Sequence, residues 1–166
     1  MNADAVELRA ATQADLLAVY RIEKASFPQP WPFSAFESFL GEPAFLVAVE
    51  GSEQGGGGRV AQTGNERVVG YLVADSVPNH GHVIGHVKDL AVAPDRRGEG
   101  IGRRLLSAGL SILAREGDAR VKLEVREDNE PAIALYREFG FEIQRRIPRY
   151  YADGETALVM ERSIEA

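Results

Sequence analysis

The stretch Arg96-Arg97-Gly98-Glu99-Gly100-Ile101-Gly102-Arg103-Arg104 sets three glycines at alternate positions between two pairs of arginines. It follows an apolar run ending at Ala93-Pro94 and precedes Ile101, Leu105, Leu106, Leu110 and Leu113 at helical spacing. The pattern predicts a strand, a glycine turn and a helix from about Ile101 to Arg115. Glycines let the backbone approach a ligand closely and turn its N–H groups inward, a helix start adds partial positive charge, and arginines add whole charges. The stretch therefore reads as a cradle for a diphosphate. It lacks the lysine-serine/threonine ending of a nucleotide P-loop. Its glycine spacing and its place after a late strand also differ from the dinucleotide fingerprint. A glycine-rich turn that holds no ligand is the competing reading.

Working outward, Val6 to Ala10 reads as an opening strand, and Thr12 as the cap of a helix carrying Leu16, Leu17, Val19, Tyr20 and Ile22 to about Ala25. Pro28, Pro30 and Pro32 end that helix. Ser34 is expected to cap a second short one bearing Phe36, Phe39 and Leu40 and closed by Gly41. Residues 44–49 and 68–74 read as antiparallel partners around a flexible glycine-rich hairpin loop, 51–67, with Gly55 to Gly58 in succession. His82 to Val92 is a third sheet run. Val121-Lys122-Leu123-Glu124-Val125 alternates, so Glu124 faces away from three aliphatic side chains. Asn129 and Pro131 open a helix with Ile133, Tyr136 and Phe139 on one face, stopped by Gly140. Two closing strands are expected at 141–147 and 156–161. The order β-α-α-β-β-β-α-β-α-β-β predicts one mixed α+β domain over residues 1–166.

Length agrees, since 166 residues suit about one domain with a single core. Hydrophobic residues at 45% and charged residues at 27% are the proportions of a globular chain. No apolar run approaches the roughly 18 to 20 residues that span a bilayer, so no membrane partner is expected. The acidic start lacks the apolar stretch of a secretory signal, and the cytoplasm is the expected compartment. A net charge of -6 argues against nucleic acid as a partner. With no cysteine, disulfide scaffolds, thiolate zinc sites and cysteine nucleophiles are excluded.

The run Arg-Arg-Gly-Glu-Gly-Ile-Gly resembles the Arg/Gln-x-x-Gly-x-Gly/Ala signature of the GNAT N-acetyltransferases, with Arg97, Gly100 and Gly102 in the defining places. The element order over nearly the whole chain is also that of this family, whose fold is a mixed, mostly antiparallel sheet flanked by helices. Leu123-Glu124-Val125-Arg126, Asn129 and Ala132-Ile133-Ala134-Leu135-Tyr136 resemble the RimI group, which acetylates a ribosomal protein's N-terminus. Tyr150-Tyr151-Ala152-Asp153-Gly154-Glu155 is similar to the archaeal N-terminal acetyltransferases. The resemblance implies acetyl-CoA as acetyl donor, no metal, and protein N-termini, ribosomal ones among them, as acceptors. It implies that Leu90, Ala91 and Val92 lie beside the pantetheine arm and that Arg97, Gly98, Glu99, Gly100, Ile101 and Gly102 offer amides to the pyrophosphate. Asn129 would contact the cofactor arm, Glu124 would be the general base, and Tyr136, near the thioester sulfur, the general acid. His86 resembles a histidine that archaeal relatives carry beside that glutamate. Phe27, Trp31 and Phe33, with Tyr150 and Tyr151, would wall the peptide entrance. Gln29 stands where relatives often carry glutamate, which removes a preference that depends on that carboxylate.

The chemistry of the residues agrees with these roles. An amine must be neutral to attack a thioester, and an α-amine has a pKa of about 7.7 to 8.0 against about 10.4 for lysine. A carboxylate acting through water is enough for the α-amine, and a tyrosine hydroxyl can protonate the departing sulfur. Without a cysteine or a Gly-x-Ser-x-Gly elbow, direct transfer is simpler than an acyl-enzyme. Each residue has a plainer reading: Glu124 as the exposed face of an edge strand, Tyr136 and the Phe27 group as core packing, Asn129 as a cap. His86 stays open between base, partner of Glu124 and strand histidine. If residues 80–86 are extended throughout, His80, His82 and His86 face one side and admit a zinc hydrolase. Transfer to a lysine or small-molecule amine, and a non-catalytic acyl-CoA-binding module, are the other competing functions.

Overall fold

The computed structural model of the chain describes residues 5–51 and 66–164. Most of the hairpin loop expected at 51–67, Gly55 to Gly58 included, lies outside the described residues. The chain divides into two compact units, Met1–Val73 with Leu90–Leu106 and Ala74–Asp89 with Ser107–Ala166.

In the first unit, β1 (Val6–Ala10) pairs antiparallel with β2 (Ala44–Glu50), from Val6 opposite Glu50 to Ala10 opposite Leu46. Six successive residues of β2 are buried, the mark of a strand covered on both faces. β3 (Arg67–Asn79) buries Val68 through Ala74 in the same way. α1 (Leu16–Ser26) puts Leu16, Val19 and Ile22 into a core shared with Phe36, Phe45, Val47, Tyr71 and Val73. Thr12 caps the short turn that precedes α1, as expected, in a reciprocal arrangement with Asp15, whose carboxylate accepts from the Thr12 N–H and hydroxyl. The second helix, α2 (Phe33–Ser38), corrects one expectation: Pro32, not Ser34, is its cap, and Ser34 lies inside the first turn. Proline's fixed φ is already suited to a helix entry, so no hydroxyl is needed there. Gly70 has no room for a side chain, since a Cβ would meet the Ala91 carbonyl oxygen and Leu105 at 3.2 Å.

In the second unit, β4 (His82–Val92) runs parallel to β5 (Arg120–Arg126), with His86 opposite Lys122. A parallel pair needs a crossover, and α3 (Ile101–Arg115) supplies it. β5 then pairs antiparallel with β7 (Ala157–Ser163), and β7 with β6 (Glu142–Ile147), whose register slips between Ile143 and Arg145. α4 (Glu130–Glu138) precedes β6. The sheet order is β1-β2-β3-β4-β5-β7-β6, a mixed and mostly antiparallel sheet. β5 is therefore an interior strand, and the reading of Glu124 as an edge-strand residue is overturned. Residues 80–86 are not extended throughout either. His80 and Gly81 both have positive φ, 50° and 83°, which makes a tight hairpin turn and takes His80 out of line with His82 and His86. Among the described residues no helix is long and apolar enough to cross a membrane.

Gly85 shows how closely α3 and the loop after it pack on this unit. A Cβ there would stand 2.8 Å from Leu113 Cδ1, 3.1 Å from Val121 Cγ2 and 3.2 Å from the buried Asp118 carboxylate. Gly85→Ala is expected to destabilise by about 1 to 3 kcal/mol, the ordinary cost of overpacking. The measurement is a lower denaturant midpoint at unchanged slope.

Candidate active site

The glycine cradle lies in the first unit. After β4 ends at Val92, a single turn, Pro94–Arg96, leads to Gly98 and Gly100, with φ of 81° and 85°. A Cβ built at either would meet nothing within 4 Å. These glycines are needed for backbone conformation rather than for lack of space, and the open volume beside them suits a bound group. α3 starts at Ile101, so its first N–H groups have no partner within the helix. A diphosphate matches that donor set.

The arginines do not all contribute charge as expected. Arg96 is buried and ion-paired with Glu50, and its Nε donates to Glu99 at 2.8 Å. Glu99 thereby has a cationic partner beside the cradle, one that it shares with Glu50. Arg97 donates from Nε to the Val92 carbonyl (3.0 Å) and from a terminal nitrogen to the Ser26 hydroxyl (3.0 Å). Both acceptors are uncharged, so Arg97 keeps its full charge while fastening the cradle to β4 and to the end of α1. Arg104 donates to the Val6 carbonyl at 2.8 Å.

The second unit brings together the acid–base residues. His86 Nε2 and Glu124 Oε2 are 2.6 Å apart, on half-buried side chains. The parallel register of β4 on β5 puts them on one face, opposite buried Val121, Leu123 and Val125. The hydrogen bond from His86 lowers the Glu124 carboxyl below its ordinary value, aided by Lys122 and Lys88 and opposed by burial. The Glu124 charge in turn helps raise the phenols of Tyr150 and Tyr151, for which burial is the main cause. Tyr136 is 7% exposed, edge-on to Phe141 at 5.8 Å. Burial first, then Asp89 and Tyr151, push its hydroxyl far above the usual tyrosine value, so it stays protonated. Asn129 Oδ1 accepts from Ala132 N at 3.3 Å, which makes it the cap of α4.

The aromatic segments are held differently. Trp31 packs on Phe36 and Phe39 at 5.3 and 5.7 Å, Phe33 meets Tyr20 edge-on at 5.8 Å, and Phe27 is partly buried against the same core. Gln29 is exposed. In the second unit, Tyr150 is 49% exposed and edge-on to Tyr151 at 5.0 Å, and Arg149 before it has a strained φ of 54°. Arg126 fastens this loop: it donates to Asp153 at 2.5 Å and lies 4.8 Å over the Tyr151 ring. Sequence reading missed Arg126 as an anchor, because its partner is 27 residues away and no spacing signals the pair. It also missed that Glu23, on the apolar stripe of α1, is buried with both carboxylate oxygens hydrogen-bonded. Among the described residues no group of three or more metal-ligating side chains forms.

Comparison with known proteins meets this geometry. A curated N-alpha-acetyltransferase of Sulfolobus acidocaldarius is 33% identical over 166 residues, covering 93% of this chain and 90% of that one. An uncharacterized protein of Mycobacterium leprae is 36% identical over 157 residues; it is longer, and this chain spans 40% of it. The crystal structure of Ard1 from Thermoplasma volcanium superposes with a TM-score of 0.82 at 27% identity, covering 98% of this chain and 99% of that one. The acetyltransferase (GNAT) family model matches residues 16–141, spanning the cradle, Glu124 and Tyr136, and the chain belongs to that family.

Proposed function

We propose that the chain is a single catalytic domain that transfers acetyl from acetyl-CoA directly to the α-amine of a protein N-terminus. The His86–Glu124 pair is the observation that carries this reading. An ionised carboxylate, kept so by a histidine, is a base strong enough for an α-amine but a poor match to the ammonium of lysine. The amide donors of the cradle, from Arg97 to Gly102, hold the pyrophosphate, and the end of β4 at Leu90, Ala91 and Val92 takes the pantetheine arm. Bound acetyl-CoA supplies an acetyl group activated as a thioester. Glu124 accepts the ammonium proton through water, leaving the amine lone pair free to form the new C–N bond. As the C–S bond breaks, the Tyr136 hydroxyl gives its proton to the sulfur; the new amide nitrogen sheds its second proton, which returns through water to the Tyr136 oxygen, and Glu124 releases the first to solvent. Phe27, Trp31 and Phe33, with Tyr150 and Tyr151, receive the first residues of the acceptor. The likeness of the 123–136 region to the RimI group makes a ribosomal-protein N-terminus one candidate acceptor, met in the cytoplasm.

The test is acetyl-CoA turnover against short peptides that vary at the first two positions, with N-blocked controls. The expected product is acetylated at the α-amine, and blocked peptides are inert. Acetylation of blocked, lysine-containing peptides at an equal rate would overturn the reading.

A further inference from the structure

Glu23 is the one charged side chain on the buried stripe of α1. It follows Leu16 by seven residues, on the face that buries Leu16, Val19 and Ile22, and it is 1% exposed. Burying a carboxylate is costly unless its oxygens are bonded, and both are. Oε1 accepts from the Tyr71 hydroxyl at 2.5 Å, and Oε2 accepts from the main-chain N–H of Trp31 at 2.8 Å. Trp31 belongs to the connection between α1 and α2, where Pro28, Pro30 and Pro32 have no N–H to donate. The connection is therefore short of main-chain donors. Two of those it has go to one residue, since Phe27 N–H donates to the Glu23 carbonyl at 3.1 Å. An apolar side chain at position 23 would fill the core without any desolvation penalty. What the carboxylate adds is a hold on Trp31.

We propose that Glu23 is a positioning residue for the acceptor peptide: by holding the main chain of Trp31 it sets the surface formed by Phe27, Trp31 and Phe33. The role rests on the peptide-acceptor reading above. It acts on peptide binding and not on the acetyl donor or the proton transfers, so it separates KM for peptide from kcat. Trp31 is the sole tryptophan of the chain, and its fluorescence reports the segment without any turnover.

The experiment compares the wild type with Glu23→Met and Glu23→Gln. Methionine matches the length and fills the site without an acceptor. Glutamine keeps an oxygen for the Trp31 N–H and can donate its amide to the Tyr71 oxygen. Glu23→Met is expected to raise peptide KM by about 10-fold, the scale of one charge-assisted hydrogen bond, with kcat and acetyl-CoA affinity within about 2-fold. Glu23→Gln should stay within about 3-fold of the wild type in KM. The peptide concentration that half-saturates the Trp31 fluorescence change should rise in parallel for the methionine variant and little for glutamine. Should Glu23→Met fail to fold, Tyr71→Phe loosens the carboxylate by one hydrogen bond and is expected to raise KM by about 3-fold. Unchanged KM in Glu23→Met, or in Tyr71→Phe where that variant stands in, overturns the role while leaving peptide acetylation intact. A KM rise accompanied by an equal loss of kcat or of acetyl-CoA affinity also overturns it, because that is general loosening. A wild-type chain that acetylates no peptide overturns the functional reading itself, and this role with it.

Discussion

Glu124→Gln is expected to lower kcat by about 100- to 10,000-fold, the usual contribution of a general base, with acetyl-CoA affinity nearly unchanged. Glutamine keeps the shape and still accepts a hydrogen bond from His86, so basicity alone is removed. The sign of the pH dependence follows from the pair. The hydrogen bond from His86 holds the Glu124 carboxyl below its ordinary pKa, so the carboxylate is already ionised throughout the range in which an α-amine loses its proton. The wild-type rate should therefore rise with pH as the amine deprotonates, without a separate step for Glu124 near neutrality. The deficit of Glu124→Gln should shrink at high pH, where the free amine needs no base, and should be smaller for peptides with a less basic α-amine. His86→Gln removes the 2.6 Å partner and lets the Glu124 carboxyl return upward toward its ordinary range, still ionised near pH 7. Its loss should be the smaller of the two. If His86 is itself the base, the order reverses and the acidic limb of the profile disappears with it. Profiles of kcat against pH for the three proteins decide, and wild-type kcat in Glu124→Gln at every pH ends the assignment.

Gly100→Asp should weaken acetyl-CoA binding by about 100-fold or more, because placing like charges together in a close site costs several kcal/mol. The structure separates the two ways in which this change acts. A Cβ at Gly100 meets nothing within 4 Å, so there is no clash, but φ of 85° strains any other residue by about 1 to 2 kcal/mol. Gly100→Ala carries that strain without the charge, and it should lower thermal stability while reducing affinity only modestly. The additional loss in Gly100→Asp should diminish as salt is raised, because screening acts on the repulsion and not on the strain. Titration calorimetry at two ionic strengths reads both effects. Equal affinities for glycine and aspartate would remove the cradle.

The order of the elements was legible because each change of period is local. Leu105, Leu106, Leu110 and Leu113 declare a helix, and the alternation of residues 121–125 declares a strand with Glu124 on its less apolar side. The glycine turn was legible for the same reason, since positive φ at Gly98 and Gly100 is a requirement that residues meet singly. Where a local signal had two outcomes the reading slipped. Ser34 looked like a cap, but Pro32 supplied the helix entry two residues earlier. For residues 80–86 the extended alternative fails, and the turn that Pro78 and Asn79 signal beside His80 is the one formed, with positive φ at His80 and Gly81.

The site divides along the same line. Which residue types could cradle a diphosphate or move a proton follows from composition and spacing along the chain. That His86 meets Glu124 depends on the parallel register of β4 on β5, which brings together residues 38 apart. The pairing of Glu99 with a buried Arg96, the hold of Arg126 on Asp153 and that of Glu23 on Trp31 likewise arise in the packed chain. Periodicity reports which face of a segment is apolar, because burial is a property of one element. A charge-assisted hydrogen bond requires two atoms within about 3 Å, and only folding sets that distance between residues remote in the chain.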